Sequence, residues 1–256
     1  MATSQPGSRK TALVTGASYG VGAACALVLA GDGFDVAVTA TRRENLDETV
    51  GKLGASGRRV LPLALDLRSQ PSITQALAEI AKAFGTLDVL VNNAGANLRK
   101  LAVDVTAQEF REVMEVNVTG TFLLTQAVGR VMIDRGQGGA IISIASTHAL
   151  IGAPERSTYG ISKGALVQMT RMLAVEWAPH GIRVNAVAPG RLDTPSPSRA
   201  ASGADAPYMK AMLERIPLHR LATAEEVAAA VAYFASPQAQ TVTGQVLFID
   251  GGLTTA

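Results

Sequence analysis

Short apolar runs of strand character alternate with longer helical patterns through almost the whole chain, and this rhythm restricts the fold more than any other feature. The strand candidates are residues 11–16, 35–41, 59–66, 87–94, 140–146, 183–190 and 245–251. Between them, helical patterns cover 22–30, 45–53, 72–84, 107–134, 157–178 and 224–235. Thr223, followed three residues later by Glu226, makes a capping box for the last of these. Strands that are apolar at nearly every position are buried on both faces, and the intervening helices supply the cover. The expectation is one doubly wound α/β domain over residues 1–256, with a seven-stranded, mainly parallel sheet and helices on both faces.

With 256 residues, 48% of them hydrophobic, the chain can bury a full core without disulfides or metals. Its 25 glycines and 4% aromatics suit close packing of helices on a buried sheet. The formal charge is +2, and no basic run exceeds the pairs Arg42-Arg43 and Arg58-Arg59, which argues against a nucleic-acid partner. A lone Cys25 cannot form an intrachain disulfide, and no Cys/His cluster points to a metal. Residues 1–10 lack the apolar segment of a signal peptide, and no apolar stretch long enough to span a bilayer follows. A cytoplasmic protein is expected.

Residues 191–217 break the rhythm, with Pro195, Pro197, Pro207 and Pro217 in one segment. It follows a strand end, where open α/β sheets bind ligands, and long loops in compact domains are usually functional or disordered. The expectation is a substrate lid with a short helix around 208–215; a segment with no catalytic role is the alternative.

The first strand runs into Thr15-Gly16-Ala17-Ser18-Tyr19-Gly20-Val21-Gly22 and then a helix. Glycines let a backbone turn tightly and approach a pyrophosphate, whose charge suits a helix N-terminus. The spacing departs from the commoner G-x-G-x-x-G, and the position, opening the first βα unit, carries the reading. After the second strand a carboxylate would meet a ribose 2′-hydroxyl, but the chain reads Thr39-Ala40-Thr41-Arg42-Arg43. A guanidinium there suits a 2′-phosphate, so NADP(H) is preferred to NAD(H). The alternative is a solvated start to the next helix.

Tyr159 and Lys163 stand four apart near the start of a helical pattern, on one face and about one turn from each other. Bringing a phenol from about 10 to neutrality takes about 4 kcal/mol. One charge about 5 Å away supplies ~3 kcal/mol at an effective dielectric of 20. A positive nicotinamide ring would add the rest. Such a tyrosine exchanges a proton with a carbonyl oxygen while hydride reaches the carbon. Ser146, at a strand end thirteen residues upstream, can hydrogen-bond the same oxygen. Asn117 lies in an apolar helical stretch, where an amide usually bonds to backbone.

Together these pieces resemble the short-chain dehydrogenase/reductase family over essentially the whole chain: TGASYGVG at 15–22, Asp66-Leu67, NNAG at 92–95, Asn117, IISIAS ending at Ser146, YGISK at 159–163 and PGRLDT at 189–194. The resemblance implies a Rossmann-type fold, with Tyr159 as general acid/base and Lys163 binding the nicotinamide ribose. It gives Ser146 the substrate oxygen and Asn117 a water in a proton relay through Lys163. In the same terms Gly16, Ser18, Tyr19, Gly20, Val21 and Gly22 meet the pyrophosphate, beside Thr41 and Arg42. Asp66 and Leu67 meet the adenine, and Asn93, Ala94 and Gly95 lie beside its ribose. Pro189 and Gly190 belong to the nicotinamide-side motif, in which Leu192 and Thr194 make the contacts. The family also implies a homotetramer paired through long helices and the C-terminal strand, here ending TGQVLFIDGG. Tyr19 departs from the basic residue of many NADP-using members, and Asp193 admits a polar substrate.

Several other residues are open to two readings. His148 either lines the substrate pocket or caps a turn, while His180 marks a helix stop. His219 is uninformative. Cys25 and Trp177 suit packing, and Arg99, Arg156 and Arg191 are surface charges before they are contacts for an acidic substrate or acyl carrier. The expected activity is NAD(P)-dependent hydride transfer to a small-molecule carbonyl, either a 3-oxoacyl thioester, in which case acyl-carrier-bound, or a sugar-acid or polyol carbonyl. A non-catalytic cofactor-binding sensor is the alternative from another class, and Asn117, Ser146, Tyr159 and Lys163 together argue against it.

Overall fold

The computed structural model describes residues 10–192 and 206–255. Strands β1 (Thr11–Val14), β2 (Asp35–Ala40), β3 (Val60–Ala64), β4 (Val89–Asn92), β5 (Gly139–Ile144), β6 (Ile182–Pro189) and β7 (Val246–Ile249) form one sheet, ordered β3-β2-β1-β4-β5-β6-β7. Every neighbouring pair is parallel, so the sheet is wholly rather than mainly so. The crossovers carry α1 (Gly20–Gly31), α2 (Asp47–Leu53), α3 (Gln70–Phe84), α4 (Ala107–Met114), α5 (Thr121–Arg135), α6 (Ser157–Trp177), α7 (Ala206–Glu214) and α8 (Ala224–Ala235).

Alternate residues of one strand serve opposite faces. Ala12 and Val14, Val89 and Val91, Ala140 and Ile142 meet α1 and α8 in one core. Leu13, Leu90 and Ile141 meet α3, α5 and α6 in the other. Burial on both sides is why the strands read as unbroken apolar runs. Trp177 is part of the second core: a Cβ added at Gly129 on α5 would lie 2.6 Å from its indole, so the small residue makes room for the ring.

Two helices differ from expectation. The pattern over 45–53 opens as a 3-10 turn, Arg43–Leu46, before α2. The pattern over 107–134, expected as one helix, is α4, a π turn (Glu115–Gly120) and α5. One local bond and two tertiary contacts accompany that bulge. Thr121 Oγ1 donates to the Val116 carbonyl at 3.2 Å, and the Asn117 amide is drawn to Ala96. At Gly120 any Cβ would collide with the Leu67 carbonyl. The capping box on α8 is present, with both Thr223 and Glu226 bonding the other's main-chain N–H. α7 occupies the place of the short helix anticipated around 208–215; residues 193–205 of the expected lid lie outside the described residues.

β1 pairs with β2 on one side and with β4 on the other, so the chain leaves the middle of the sheet in opposite directions. In such sheets the crevice beyond the carboxyl ends of those strands is the ligand site. Five of the quoted segments follow strand ends, 15–22 after β1, Asp66-Leu67 after β3, 93–95 after β4, Ser146 after β5 and 190–192 after β6, whereas Asn117 lies in the π turn and Tyr159 and Lys163 on α6.

Candidate active site

The glycine turn is shaped by its neighbours. Gly16 adopts φ +63°, and a Cβ there would lie 2.8 Å from Ala94 Cα; at Gly22 it would run into the Gly16 carbonyl oxygen. The turn is pinned from two sides, by the Asn93-Ala94 segment and by α2. Asn93 Nδ2 donates to the carbonyls of Thr15 and Gly16, both at 2.9 Å. Thr15 Oγ1 accepts the amides of Asn93 and Ala94, each at 3.0 Å. Thr49, on α2, donates its hydroxyl to the Ala17 carbonyl at 2.8 Å. Asn93 and Ala94 therefore hold the turn itself, whatever else they touch.

This turn fits the diphosphate of a dinucleotide. Tyr19 stands at the N-cap of α1 without a side-chain cap, and no acid lies in the first turn. Among the described residues the amides of Gly20, Val21 and Gly22 have no acceptor. Gly20, at φ +57°, faces open space, so an anion can approach the main chain closely. Unpaired N–H groups at the positive end of a 12-residue helix are a ready anion site. Thr41, Arg42 and Arg43 are exposed at the end of β2, and neither guanidinium is in an ion pair with a described residue. Asp66 is already occupied: its carboxylate accepts from Arg68 N, Nε and Nη2 at 3.0, 2.9 and 2.8 Å. That guanidinium holds the carboxyl below its usual range. Leu67 is buried against Gly120.

Beyond β4 and β5 four further residues converge. Lys163, 4% exposed, donates from Nζ to the Ile144 carbonyl at 2.7 Å, and Nζ stands 5.6 Å from the centre of the Tyr159 ring. Burial pushes its ammonium down to about 8. A Cβ at Gly95 would lie 3.7 Å from Lys163 Nζ and 3.2 Å from Asn117 Oδ1, so these two groups flank one glycine. Asn117 Oδ1 accepts the Ala96 amide at 2.6 Å, and Nδ2 donates to the Ala96 carbonyl and to Ser162 Oγ, both at 2.9 Å. Ser162 Oγ in turn donates to the Tyr159 carbonyl at 2.7 Å. The amide thus bonds backbone, as an isolated reading of Asn117 suggests, and in doing so ties the loop after β4 to the tyrosine's own turn of helix. Ser146 Oγ accepts the His148 main-chain N–H at 3.2 Å.

Pro189 is buried, and Gly190 donates to the Ile249 carbonyl at 3.0 Å and packs on Asp250, so this end of the motif is braced on β7. Leu192 is buried and bridges Ala222; Thr194 and Asp193 lie outside the described residues. Arg99 pairs with Glu155 and Arg156 donates to Asn97, which staples the loop after β4 to the segment before α6. Among the described residues no group of His, Cys, Asp and Glu is placed to hold a metal. Sequence reasoning missed Thr15, Thr49 and Ser162. Each acts through a hydroxyl on distant backbone or side chain, and no periodicity marks such a contact.

A family model described as Enoyl-(Acyl carrier protein) reductase matches residues 16–254. A short-chain dehydrogenase/reductase of Armillaria gallica is 37% identical over 260 residues, covering 99% of each chain. A glucose 1-dehydrogenase of Gluconobacter oxydans is 40% identical over 247 residues, 96% of this chain and 92% of that one. Among solved structures, a candidate 2-deoxy-D-gluconate 3-dehydrogenase of Agrobacterium tumefaciens with bound NADP has a TM-score of 0.88 at 36% identity, covering 96% of this chain and 97% of the other. The chain belongs to the short-chain dehydrogenase/reductase family and is an NAD(P)-dependent oxidoreductase acting on carbonyl and alcohol groups.

Proposed function

We propose that the protein reduces and re-oxidises a polar carbonyl/alcohol pair of the sugar-acid or polyol kind, with NADP(H) preferred to NAD(H). The observation that carries the reading is the buried Lys163 ammonium beside the Tyr159 ring, next to a glycine turn with unspent amides. Gly16, Ser18, Tyr19, Gly20, Val21 and Gly22 would hold the diphosphate of the dinucleotide, with Thr41 and Arg42 toward its far phosphate, and the bound group would supply or take the hydride. Asp66, Leu67, Asn93, Ala94 and Gly95 would lie along its adenosine half, Asp66 with its carboxylate kept on Arg68, and Pro189, Gly190, Leu192 and Thr194 along its nicotinamide half.

In reduction the carbonyl carbon gains the hydride, and its oxygen takes one proton from the Tyr159 hydroxyl. Ser146 donates a second hydrogen bond to that oxygen as negative charge grows. The Lys163 ammonium, its charge little screened inside the fold, stabilises the phenolate left behind and steers the ribose. Asn117 braces the loop beside Lys163 and would offer its remaining Oδ1 lone pair to a relay water. Oxidation runs the same steps backwards.

The gluconate-type neighbour with NADP and the glucose dehydrogenase relative favour the polyol class and the cofactor preference. A second reading, a 3-oxoacyl thioester on an acyl carrier, is favoured by the acyl-carrier description of the family model. The exposed Phe122, Val131, Ile161, Met172 and Val175 on α5 and α6, with the open edge of β7, support a homotetramer, and the lone buried Cys25 suits the cytoplasm. The segment 191–217 is proposed as the substrate lid.

The test is NADPH and NADH consumption with ketogluconates and with an acetoacetyl thioester. Tyr159→Phe should cost about 10²-fold or more in kcat with cofactor affinity kept. Arg42→Asp should shift preference toward NADH by roughly tenfold, the worth of one charge-assisted bond. Unchanged relative affinities would refute the role of Arg42.

A further inference from the structure

Ser146 and Tyr159 come from different elements, the end of β5 and the start of α6, yet both must point at one substrate oxygen. Between them the chain makes a single 3-10 turn, Thr147–Ala149, with Ser146 as its N-cap. The middle residue of that turn touches both groups. Its main-chain N–H donates to Ser146 Oγ at 3.2 Å. Its ring is nearly perpendicular to the Tyr159 ring, with centroids 6.2 Å apart and planes at 80°. We propose that His148 is a positioning residue that fixes the Ser146 hydroxyl with its amide and the Tyr159 phenol with its imidazole. This rests on the reading of Tyr159 as proton carrier.

The amide bond gives the hydroxyl a direction. A serine oxygen that accepts from a neighbouring N–H keeps its own proton to give away, and Ser146 gives it to no described residue. The ring acts on the phenol through its quadrupole: aromatic pairs favour an edge against a face, so the perpendicular arrangement resists rotation of the tyrosine about its side-chain bonds. The imidazole suits this task because its burial favours the uncharged form. It is half-buried, and desolvation, helped by the Arg156 charge and opposed by a main-chain hydrogen bond at Ile151, holds it below the ordinary histidine range. A neutral ring does not compete with the Lys163 ammonium beside the same phenol.

The turn is also seated on the helix that carries the tyrosine. A Cβ at Gly160 would come within 3.0 Å of the His148 carbonyl, so the main chain at 148 lies flat on α6 where that helix has no side chain. Amide, ring and carbonyl of one residue therefore meet Ser146, Tyr159 and Gly160 in turn.

The experiment compares His148→Ala, His148→Phe and Tyr159→Phe with the parent, using NADPH and the ketogluconate and thioester panel. NADPH affinity is read by fluorescence titration and folding by thermal melts. His148→Ala keeps the amide and loses the ring; kcat should fall about tenfold, or about 1.4 kcal/mol, with NADPH affinity within about twofold. His148→Phe restores an aromatic ring and should recover to within about threefold of the parent. A fully active His148→Ala, or a His148→Phe that folds and is no better than the alanine variant, would overturn the inference. An active Tyr159→Phe would overturn the proton reading and this inference with it. An inert Tyr159→Phe beside an unimpaired His148→Ala overturns the inference alone.

Discussion

Replacing Lys163 by methionine separates what the buried ammonium does for the reaction from what it costs the fold. Lysine keeps its ordinary value of 10.5 in the unfolded chain, while burial brings it to about 8 in the folded one. Between those values the unfolded chain holds a proton that the folded chain has released, so stability rises with pH across that window. Below pH 8 the penalty is fully present. At 1.36 kcal/mol per pH unit it amounts to about 3 kcal/mol at pH 7, shrinking to about 1 kcal/mol at pH 10. Methionine fills similar space without charge and gives up the bond to the Ile144 carbonyl, a loss of ~1–3 kcal/mol that does not depend on pH. Urea unfolding of both proteins at pH 7 and pH 10 cancels every other titrating group. The stability of Lys163→Met relative to the parent should fall by about 2 kcal/mol from pH 7 to pH 10, while its activity is lost at both. A difference that stays constant over this range would show that Lys163 titrates as it does in water, and the electrostatic account of the site would fail.

Two other perturbations test the frame around it. Gly22→Ala drives a methyl into the Gly16 carbonyl and the Asn93 amide that pins the turn; about 3 kcal/mol of stability and at least tenfold in NADPH affinity should go, read by urea melts and fluorescence titration. Cys25 is buried in the α1 core, and burial pushes its thiol up to about 12, so an aromatic disulfide reagent at pH 8 should label it only after denaturant is added.

Much of this architecture is legible in the sequence because it rests on local periodicity. Strands buried on both faces announce themselves as apolar runs, and Thr223 with Glu226 marks the start of α8 from four residues alone. The π turn is not legible. Nothing between Ala107 and Asp134 breaks the helical pattern; at the bulge Asn117 reaches Ala96 and Gly120 rests on Leu67, contacts made across 21 and 53 positions of chain. The same limit hides Thr49 and Ser162. His148 shows a subtler gap: the sequence offers a pocket lining or a turn cap as alternatives, whereas the turn takes its main chain and the tyrosine takes its ring.

Asn117 sharpens the point. Both of its N–H donors and one lone pair are committed to Ala96 and Ser162, which leaves a single acceptor position on Oδ1, close to Lys163 Nζ across Gly95. A relay water at this side chain therefore has one place to bind, and that place is set by the same bonds that accompany the π turn. Straightening the helix would withdraw the amide from Ala96, free Ser162 from its second partner and loosen the turn of α6 that presents Tyr159. An irregular element here ties the loops after β3 and β4 to the turn of α6 that presents one phenol.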